Sequence, residues 1–596
     1  MSIQTNTTRV PARGPKLGRR GFLATTLGGL SIAFTLPDAA RVFGVKAATP
    51  PTPQELSNAY IRVGTDGSIT LMFGGSEMGQ GAKTGLAQIL AEELMVDWNQ
   101  VNVQQSTVDA IVTYITGGSS AVSGRYNTLR TAGAAARESL VASAMLITGN
   151  TNRANYVAAS GAVTFTNPTT SAKTTWPYKN LAANAGTPAA QALVPNPPPL
   201  TNPSQFRLIG KPIQRVDIPS KVDGSAKFGI DIWFPDMVFA AIKHCPVFGG
   251  TYVSASKPSG AIALVPCKAS DNRGAVAAGS VNAVAVVASN TWTAKNLAKS
   301  LSVQWNLPAS TTSVDSAQLG AQAISLLSSN GQALTAEPAG TGSPLSQTAA
   351  VEPGVITALG SPTVDATYTV PYLAHATMEV LNCSVRLTYD AGGTIVTKCE
   401  IWAPTQAANW SAGTAAGLIN ALQPASPISM NNIIVNTTYL GGGLGRKIEQ
   451  DYISQAVQVA LAVKKPVKLT WMREEDTAHD NYRPMAAIQV KASLSGSNIG
   501  AWYFRTVTPS ILGQRGWMAP GTVDSQAVEG AVGLPYNLGN HIVEWVPLPA
   551  GIPLGFWRSV GTSINAFAVE CTIDELAQKA GKDPFAFRYP LISDLR

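Results

Sequence analysis

Two glycine-rich segments, far apart in the chain, constrain the fold more than any other feature of this sequence. Residues 74–81 read GGSEMGQG and residues 441–447 read GGGLGRK. Each segment follows a run with the composition of a β-strand and precedes an amphipathic helical pattern. That arrangement directs backbone N–H groups and a helix N-terminus at one place, which suits an anionic, oxygen-rich ligand. Two such segments predict one large cofactor that is held from two sides.

Neither segment has the motif of a common nucleotide site. A P-loop needs G-x-x-x-x-G-K-[ST], and a dinucleotide fold needs G-x-G-x-x-G, in which Arg446 takes the place of the last glycine. The alternative interpretation is that the glycines only allow tight turns and close packing of helix on sheet. Gln80 favours a ligand, because a neutral amide can both donate and accept, as a pterin or an oxo group requires. A serine hydrolase is not supported, since the sequence lacks a G-x-S-x-G elbow.

The length and the net charge of the chain limit its domain organisation and its possible partners. A chain of 596 residues is expected to form about two to four domains. The net charge is +8, but residues 1–46 hold seven basic residues against Asp38 alone, which accounts for six of these charges. The rest of the chain lacks the clustered Lys and Arg that a nucleic-acid surface requires, so we expect no nucleic-acid partner.

The N-terminus has the pattern of a targeting segment. Arg19 and Arg20 precede a modestly apolar run over residues 21–36, which looks like a twin-arginine export signal and is too short for a secure membrane span. Residues 1–48 are therefore interpreted as a signal, with cleavage near Ala40 or near Ala47 and Ala48. An uncleaved anchor helix is the alternative. The expected location is the periplasm or another exported site, with association to a membrane left open.

Cysteine and histidine are sparse. The five cysteines form no C-x-x-C pair, so no iron–sulfur cluster is predicted on this chain, and most of these cysteines are expected to be small core residues. The four histidines show no metal-ligand spacing, which disfavours a zinc or non-haem iron site.

Strand and helix patterns alternate along the chain and predict a mixed α+β fold. Two stretches of loop-like composition divide the chain. The first is rich in Pro, Asn, Ala and Thr, and the second is rich in Ser, Ala and Gly. After the signal, the predicted organisation is a first cofactor-binding segment over 49–165, a linker over 166–208, a small α+β domain over 209–310, a connecting segment over 311–360 and a second cofactor-binding region over 361–596.

The ordered motifs resemble those of the molybdenum-carrying large subunits of the xanthine dehydrogenase and aldehyde oxidoreductase family. Within that family, the isoquinoline 1-oxidoreductase branch is most similar, because its MGQG loop also comes first in the chain. The motifs that carry the resemblance are MGQG at 78–81, IGKP at 209–212, PYLAHATME at 371–379, APTQ at 403–406, GGGLGRK at 441–447 and GFWRS at 555–559. They extend over nearly the whole chain after the signal.

The resemblance implies molybdenum-cofactor-binding domains of the xanthine dehydrogenase type and an α/β-hammerhead-like domain. It implies a molybdenum–molybdopterin cytosine dinucleotide whose metal is held by the pterin dithiolene, without protein ligands. It also implies a small 2Fe–2S partner subunit, a cytochrome or another electron acceptor, and Arg558 as the residue that contacts the substrate or the transition state. The cofactor-binding residues carried over are Gly79, Gln80, Gly81, Gly118, Ser119, Ser120, Gln406, Gly442, Gly443, Leu444 and Gly445.

The sequence departs from the family pattern at two places. Leu444 stands where the family usually has Phe, which we interpret mainly as a packing substitution of similar volume. A changed wall of the substrate pocket, with an altered substrate preference, is the alternative. The general base of the family is a glutamate in a Gly-Glu loop near the C-terminus, and nothing from Arg558 to Arg596 resembles that loop. We therefore assign no base and expect that the chain stops before the last part of its cofactor domain.

Three functions fit these observations. The leading interpretation is the large subunit of an exported hydroxylase that oxidises an N-heteroaromatic compound with oxygen from water. An aldehyde oxidoreductase large subunit is the second. An inactive cofactor-binding remnant or assembly scaffold is the third, and it is motivated by the abrupt end of the sequence.

Overall fold

The computed structural model describes residues 30–31, 60–106, 114–270, 276–309, 314–329, 332–334, 353–519, 522–549 and 551–592. The predicted signal segment lies outside these residues, apart from Leu30 and Ser31. The chain forms two compact units. The first consists of Met1–Gly74, Gly81–Thr113 and Val122–Pro219, and the second consists of Gly75–Gln80, Tyr114–Ala121 and Ser220–Arg596.

The first unit contains a β-hairpin, as the alternating pattern over residues 59–73 predicts. Ile61–Val63 pairs antiparallel with Ile69–Phe73, as the alternation of apolar and polar residues indicates. Val101–Gln105 pairs in parallel with Ile69–Phe73 and so extends this sheet. At the opposite edge, Leu30–Ser31 pairs antiparallel with Ile61–Val63. A second sheet has the order Tyr156–Ala159, Ala162–Thr166, Lys173–Pro177.

Two long helices form the core of the first unit. Ala82–Leu94 buries Leu86, Ile89, Leu90 and Leu94, as its periodicity predicts, and it packs against Tyr126–Thr148. The two helices approach closely at Gly133, where a Cβ atom would lie 2.9 Å from the carbonyl oxygen of Leu90. Only glycine permits that distance between the helix backbones.

The segment predicted as an irregular linker contains regular structure. Within residues 166–208 lie the strand Lys173–Pro177 and the helices Tyr178–Ala185 and Pro188–Gln191. The first of these helices buries Tyr178, whose hydroxyl donates to the carbonyl oxygen of Leu94 at 2.7 Å. The Pro, Asn, Ala and Thr content of the segment predicts a connection with little regular structure, and that prediction is wrong because its few apolar residues fall on one helical face.

The second unit is built on a seven-stranded mixed sheet. Two pairs of neighbouring strands are parallel, namely Val238–His244 with Val467–Thr470 and Val396–Ala403 with Ile433–Thr437. Residues 283–288 of one strand are fully buried, because both faces of this sheet are covered. From edge to edge the strands are Ala263–Ser270, Val276–Ala288, Val238–His244, Val467–Thr470, Asn382–Tyr389, Val396–Ala403 and Ile433–Thr437.

Helices cover this sheet. Thr291–Ser300 packs on Val238–His244 and Val276–Ala288, and Ala408–Leu422 packs on the edge strand Ile433–Thr437. Asp451–Val463 contacts both Asn382–Tyr389 and the opposite edge strand Ala263–Ser270. A separate ribbon pairs Thr251–Ser254 with Gln304–Asn306. The α+β region predicted at 209–310 therefore contributes strands to the same sheet as residues 382–470.

A five-stranded sheet completes the second unit. Its order is Gln332–Leu334, Asn540–Pro547, Asn498–Thr508, Ala486–Ser495, Val364–Val370. Trp502, Phe504 and Trp545 are buried on it, and Thr562–Lys579 packs across it. The remaining helices are Ile218–Val222, Ser316–Leu326, Pro353–Leu359, Arg473–Ala478, Ile511–Gln514, Ser525–Val528 and Pro584–Arg588.

The pattern over residues 565–581 predicts a helix that continues into residues 583–585, and this continuation is wrong. The helix ends at Lys579, and Gly581 adopts a positive φ of 65°. Asp583 then caps a new helix by accepting from the backbone N–H groups of Phe585 and Ala586. None of the helices in the described ranges combines the length and the apolar character that a membrane crossing requires. The mixed α+β fold class is confirmed.

Candidate functional site

Gln406 and the second glycine-rich segment lie together because of the sheet. Val396–Ala403 and Ile433–Thr437 are parallel neighbours, with Ala403 opposite Thr437 at their carboxyl ends. Gln406 follows the first strand and residues 441–447 follow the second. The carboxyl edge of parallel strands is where α/β sheets place ligands, since loops from neighbouring strands meet there.

Gln406 joins three loops. Its side-chain amide donates to the carbonyl oxygen of Thr116 at 2.8 Å and accepts from the N–H of Gly445 at 3.1 Å. Its own N–H donates to the carbonyl oxygen of Lys447 at 2.8 Å, and its carbonyl oxygen accepts from the N–H of Thr116. Gln406 is only 4% exposed. It therefore fixes the distance between the turn at 117–120 and the second glycine-rich segment.

The first glycine-rich segment enters the same cluster through Ser76 and Glu77. The N–H of Ser76 donates to Oγ1 of Thr116 at 2.9 Å, and its hydroxyl donates to the carbonyl oxygen of Thr405 at 2.7 Å. The carbonyl oxygen of Glu77 accepts from the N–H of Leu440. Residues 75–80 are thus anchored beside the strand end that leads into residues 441–447.

Gln80 is exposed and its side chain folds back onto its own loop. Its Oε1 accepts from the N–H of Met78, and its Nε2 donates to the carbonyl oxygen of Ser76, both at 2.8 Å. Gly79 is also exposed and has a φ of 103°. Gly81 belongs to the first unit, where it precedes the helix Ala82–Leu94 with a φ of 82°.

Residues 117–120 form a tight turn. Both central residues, Gly118 and Ser119, are left-handed, with φ of 60° and 54°, which is the pattern of a type I′ turn. Ser120 closes the turn, since its hydroxyl donates to the carbonyl oxygen of Gly117 at 3.2 Å. Gly118 and Ser119 are exposed, so their N–H groups are available to a ligand.

Residues 441–447 offer a row of free backbone donors. The N–H groups of Gly442, Gly443 and Leu444 make no hydrogen bond with any residue of the described ranges. Gly442, Leu444 and Gly445 have positive φ values of 92°, 53° and 101°, which turn successive N–H groups toward one side. A Cβ atom at Gly443 would lie 2.6 Å from Oε1 of Gln406 and 2.9 Å from Sδ of Met78. Gly443 is therefore packed directly against these two side chains, and no larger residue fits there without displacing them.

A buried ion pair anchors this segment. The side-chain nitrogen of Lys447 lies 2.8 Å from Oε2 of Glu379, and the same carboxylate accepts from the N–H of Gly441 at 2.9 Å. Lys447 is fully buried, and this burial lowers the pKa of its ammonium group despite the opposing effect of Glu379. Sequence reasoning quoted both residues inside motifs but assigned neither a role.

The segment carrying Arg558 touches the second glycine-rich segment. A Cβ atom at Gly445 would lie 1.5 Å from the carbonyl oxygen of Phe556, so the two backbones are in contact. Arg558 is exposed and its guanidinium makes no hydrogen bond or ion pair with the described residues. A free cationic fork at this position can stabilise negative charge on a ligand.

Arg515 holds the aromatic ring beside this segment. Its guanidinium lies over Phe556 at 4.5 Å and forms a bidentate ion pair with buried Glu449, in which Nη1 lies 3.1 Å from Oε2. Burial raises the pKa of Glu449, and Arg515 opposes that effect. Two carboxylates of the helix Thr562–Lys579, those of Glu570 and Glu575, accept hydrogen bonds from the hydroxyl groups of Tyr536 and Tyr368.

Sequence reasoning missed two buried histidine–carboxylate pairs in the second unit. Nδ1 of His244 lies 2.8 Å from Oε2 of Glu475, and Nδ1 of His375 lies 3.0 Å from Oδ2 of Asp480. The partners are far apart in the chain, so no local spacing could reveal them. His479 lies 3.6 Å from Glu475, which makes His244, Glu475 and His479 the one trio in the described ranges with metal-ligand proximity. Four of the five cysteines are buried, as predicted for core residues.

Comparison with known proteins agrees with this geometry. Residues 23–208 and residues 358–590 match two families that are each described as a molybdopterin cofactor-binding domain. The chain is 28% identical to isoquinoline 1-oxidoreductase subunit beta of Brevundimonas diminuta, over 96% of the chain and 75% of that relative. It is 27% identical to the membrane-bound aldehyde dehydrogenase (pyrroloquinoline-quinone) of Gluconacetobacter polyoxogenes, over 97% of the chain and 72% of that relative.

Solved structures show a weaker likeness. The crystal structure of quinoline 2-oxidoreductase from Pseudomonas putida 86 has a TM-score of 0.46 and 17% identity, over 65% of this chain and 50% of that chain. The present chain thus spans half the length of that solved chain.

The two matched domains and the converging loops define a molybdopterin-binding protein. The chain belongs to the xanthine dehydrogenase and aldehyde oxidoreductase family of molybdenum enzymes. Within it, the chain is a molybdopterin-binding large subunit of the aldehyde or N-heteroaromatic oxidoreductases. One relative is named for pyrroloquinoline quinone, but both matched domains are molybdopterin domains, and the cofactor of this chain follows from them.

Proposed function

We propose that this chain is the cofactor-binding large subunit of an exported hydroxylase that oxidises an N-heteroaromatic compound with oxygen from water. The observation that supports this proposal is the row of free N–H groups at Gly442, Gly443 and Leu444. None of these three consecutive N–H groups has a partner among the described residues, and the buried amide of Gln406 joins their loop to the turn at 117–120. This donor set fits an oxygen-rich, anionic group such as molybdopterin.

The residues of the chain have distinct parts in this function. The N–H groups of Gly442, Gly443 and Leu444 would hold the cofactor from one side, with Gly445 fixed behind them by Gln406. Gly79, Gln80, Gly118, Ser119 and Ser120 would hold it from the exposed loops. When bound, the cofactor supplies two-electron oxidation and the activation of water. Gly81 remains a residue predicted from the sequence motif alone.

Arg558 would act on the substrate. Its guanidinium is exposed and unpaired, so its five donors are available to a ring nitrogen or an oxygen on which negative charge develops. Phe556 and Trp517, stacked with ring centroids 6.2 Å apart, provide an aromatic surface beside the same segment. Planar heteroaromatic substrates suit such a surface.

We extend the proposal to the cofactor form, the partner and the location. The cytosine dinucleotide form of the cofactor is proposed from the family resemblance. Because the sequence has no C-x-x-C pair, electrons would leave through a separate small 2Fe–2S subunit toward a cytochrome or another acceptor. The twin-arginine motif at Arg19 and Arg20 supports export of the folded, cofactor-loaded chain to the periplasm.

Aldehyde oxidation is the second candidate. Relatives named as an aldehyde dehydrogenase and as an aldehyde oxidoreductase molybdenum-binding subunit favour it, while relatives named for isoquinoline and nicotinate favour the heteroaromatic class. A panel of isoquinoline, nicotinate and benzaldehyde, assayed with an artificial electron acceptor on the natively purified protein, separates the two. Turnover of benzaldehyde alone would overturn the heteroaromatic proposal.

Metal and nucleotide analysis tests cofactor binding directly. The natively purified chain should contain stoichiometric molybdenum, release CMP on acid hydrolysis and bring with it a small iron–sulfur protein. Gly443→Ala should lose at least about tenfold of the molybdenum, because the new methyl group would collide with Gln406 and Met78 and displace the row of N–H groups. Gly413→Ala, at an exposed helical position with open space, is the matched control. Normal molybdenum in Gly443→Ala would contradict the proposed site, and absence of molybdenum from the native chain would support an inactive remnant.

A further inference from the structure

A cavity of about 150 Å³ lies within the second unit. It is lined by the loop that follows the strand Val238–His244, by residues 449–451 and by side chains from two later segments. The described lining does not include the free N–H groups of residues 442–444 or the guanidinium of Arg558. One lining residue, Gly249, is exposed, so a small solute can enter from solvent.

One part of the cavity wall is aromatic. The ring centroid of His244 lies 4.3 Å from that of Trp471 and 4.7 Å from that of His479. Phe248 meets His479 edge to face at 5.9 Å. All four rings line the cavity. Such a wall favours a flat ring as occupant, because ring pairs attract one another and water finds few hydrogen-bond partners there.

Both ring nitrogens of His244 are already engaged. Oε1 of Gln455 accepts from the indole N–H of Trp471 at 2.8 Å, so the nitrogen of this amide faces His244 and donates to its Nε2 at 2.9 Å. Nδ1 of His244 then carries a proton and donates to Glu475 at 2.8 Å. Because neither nitrogen is open, His244, Glu475 and His479 do not form a metal site in this arrangement, and His244 offers the cavity only its ring.

The carboxylates of the wall are paired behind it. Glu449 forms a bidentate ion pair with Arg515, and Asp451 forms one with Arg446 at 3.1 and 2.7 Å. The described residues of the lining include no lysine or arginine. A charged ligand would therefore leave water without gaining a counter-ion, which is unfavourable.

His479 adds no charge at neutral pH. Burial lowers its pKa to about 4, and the neighbouring imidazole of His244 acts in the same direction, against the effect of Glu475. The contact of 3.6 Å between His479 and Glu475 is therefore not an ion pair at neutral pH. The cavity suits an uncharged occupant.

Two asparagine amides are the open polar groups of the wall. Asn481 is 6% exposed, and its side chain makes no hydrogen bond with any described residue, although neither its oxygen nor its nitrogen is fully enclosed. The side chain of Asn282 likewise bonds no described residue, but its oxygen is fully enclosed, so only its nitrogen is open. Both side chains line the cavity. A buried amide without partners points to a missing donor and acceptor.

We propose that this cavity binds one uncharged aromatic ring that carries an amide group. The amide of the ligand pairs with that of Asn481, donor to acceptor and acceptor to donor, while the ring packs on Trp471 and Phe248. A cavity of about this volume admits a single six-membered ring such as benzene. The site lies outside the cofactor-binding loops and does not depend on the proposed function.

Histidine NMR locates the ligand. His244 and His479 line the cavity, whereas the other two histidines of the chain, His375 and His541, do not. Benzamide, added to the purified chain labelled at its histidine rings, should shift the resonances of the first pair through its ring current and leave those of the second pair unchanged. Equal shifts of all four, or shifts of the second pair alone, would overturn the proposal. So would the absence of any shift up to about 10 mM benzamide, which is the result for a cavity that holds only water.

Two analogues of benzamide test the charge and the size of the ligand. Benzoate has nearly the same shape and a negative charge, and 2-naphthamide keeps the amide and adds a second fused ring. Both should bind at least about tenfold more weakly than benzamide, because the lining has no cation for the first and no room for the second. Benzoate that binds as tightly as benzamide would overturn the uncharged class, and 2-naphthamide that does so would overturn the single-ring site. These comparisons need no variant.

Asn481→Leu tests the amide contact. Leu has a similar branched shape but cannot pair, so benzamide should bind about tenfold more weakly, which is the effect of lost hydrogen bonds. Without ligand, the variant should unfold at the same urea concentration as the wild type, since the amide bonds no described residue. Asn431→Leu, at an exposed position outside the cavity, is the matched control and should bind benzamide normally. Unchanged affinity in Asn481→Leu would overturn the contact, and a large loss of stability would identify Asn481 as a structural residue instead.

Discussion

The two glycine-rich segments look equivalent in sequence and differ in structure. In residues 74–81, Gln80 is exposed and bonds only to its own loop. In residues 441–447, buried Gln406 accepts a hydrogen bond from the N–H of Gly445. The carboxylate of Glu379 accepts from the N–H of Gly441 and pairs with the side chain of Lys447. Ser76 and Glu77 anchor the base of the first segment, so only its tip at residues 79–80 is exposed. Hydrogen bonds hold the second segment at Gly441, Gly445 and Lys447 and so direct its free N–H groups.

Gly79 and Gly445 show the difference most directly. Their φ values are 103° and 101°, so both need glycine for the backbone alone. A Cβ atom at Gly79 would meet no atom within 4 Å, whereas at Gly445 it would lie 1.5 Å from the carbonyl oxygen of Phe556. Only the second glycine is also required for space.

The largest expected effect comes from Gly445→Ala. It should lower the free energy of unfolding by more than about 4 kcal/mol or prevent folding. Two destabilising effects combine, namely the strain of a left-handed alanine and the overlap of its Cβ atom with Phe556. Gly79→Ala has only the strain of a left-handed alanine, about 1–2 kcal/mol. Urea unfolding of the two variants side by side measures the difference. Equal losses would show that the two segments are alike after all.

The second-largest loss of stability is expected from removal of the buried lysine, Lys447. Lys447→Met leaves the carboxylate of Glu379 buried without its cation and should cost about 3–5 kcal/mol. Glu379→Gln combined with Lys447→Met should cost less than Lys447→Met alone, because no uncompensated charge remains. A double-mutant cycle by urea unfolding gives the coupling. An additive result would mean that the ion pair does not anchor the segment.

The elements of the fold follow largely from local pattern. The hairpin at 61–73, the helix Ala82–Leu94 and the strand before residues 441–447 all lie where periodicity predicted them. Apolar spacing encodes these elements within a few neighbouring residues. The family motifs likewise located Gln406 and Gly443. The individual roles of the predicted site residues stay predictions.

The pairings between distant residues could not be predicted in the same way. Lys447 and Arg446 look like surface residues in sequence, yet both are buried against carboxylates. Asp480 lies far along the chain from His375, and no local rule connects them. Residues 75–80 and 114–121 group with the second unit, although the chain around them belongs to the first. Such contacts are set by how the strands are ordered in the sheet.

An intermediate difference in stability is expected between variants of the two glutamines, Gln406 and Gln80. Gln406→Leu leaves the carbonyl oxygen of Thr116 and the N–H of Gly445 without partners, at a cost of about 2–4 kcal/mol. Gln80→Leu, at an exposed position, should cost less than about 1 kcal/mol. Thermal unfolding compares the variants, and molybdenum analysis should show a loss for both if both glutamines hold the cofactor. Retention of molybdenum in Gln80→Leu would confine the cofactor-binding role to the second glycine-rich segment.

The smallest effect on stability is expected from Leu444→Phe, which restores the usual residue of the family. Leu444 is half-buried with a φ of 53°, and its neighbours on both sides are glycines, so a larger side chain can turn outward. The free energy of unfolding should change by less than about 1.5 kcal/mol. If the side chain forms a wall of the substrate site, the ratio of kcat/KM for isoquinoline to that for nicotinate should change at least about threefold, which corresponds to a fraction of a kcal/mol. Leu422→Phe, at a 70% exposed position, is the control. An unchanged ratio would identify residue 444 as a packing position, and the second segment would then act on the cofactor only through its backbone.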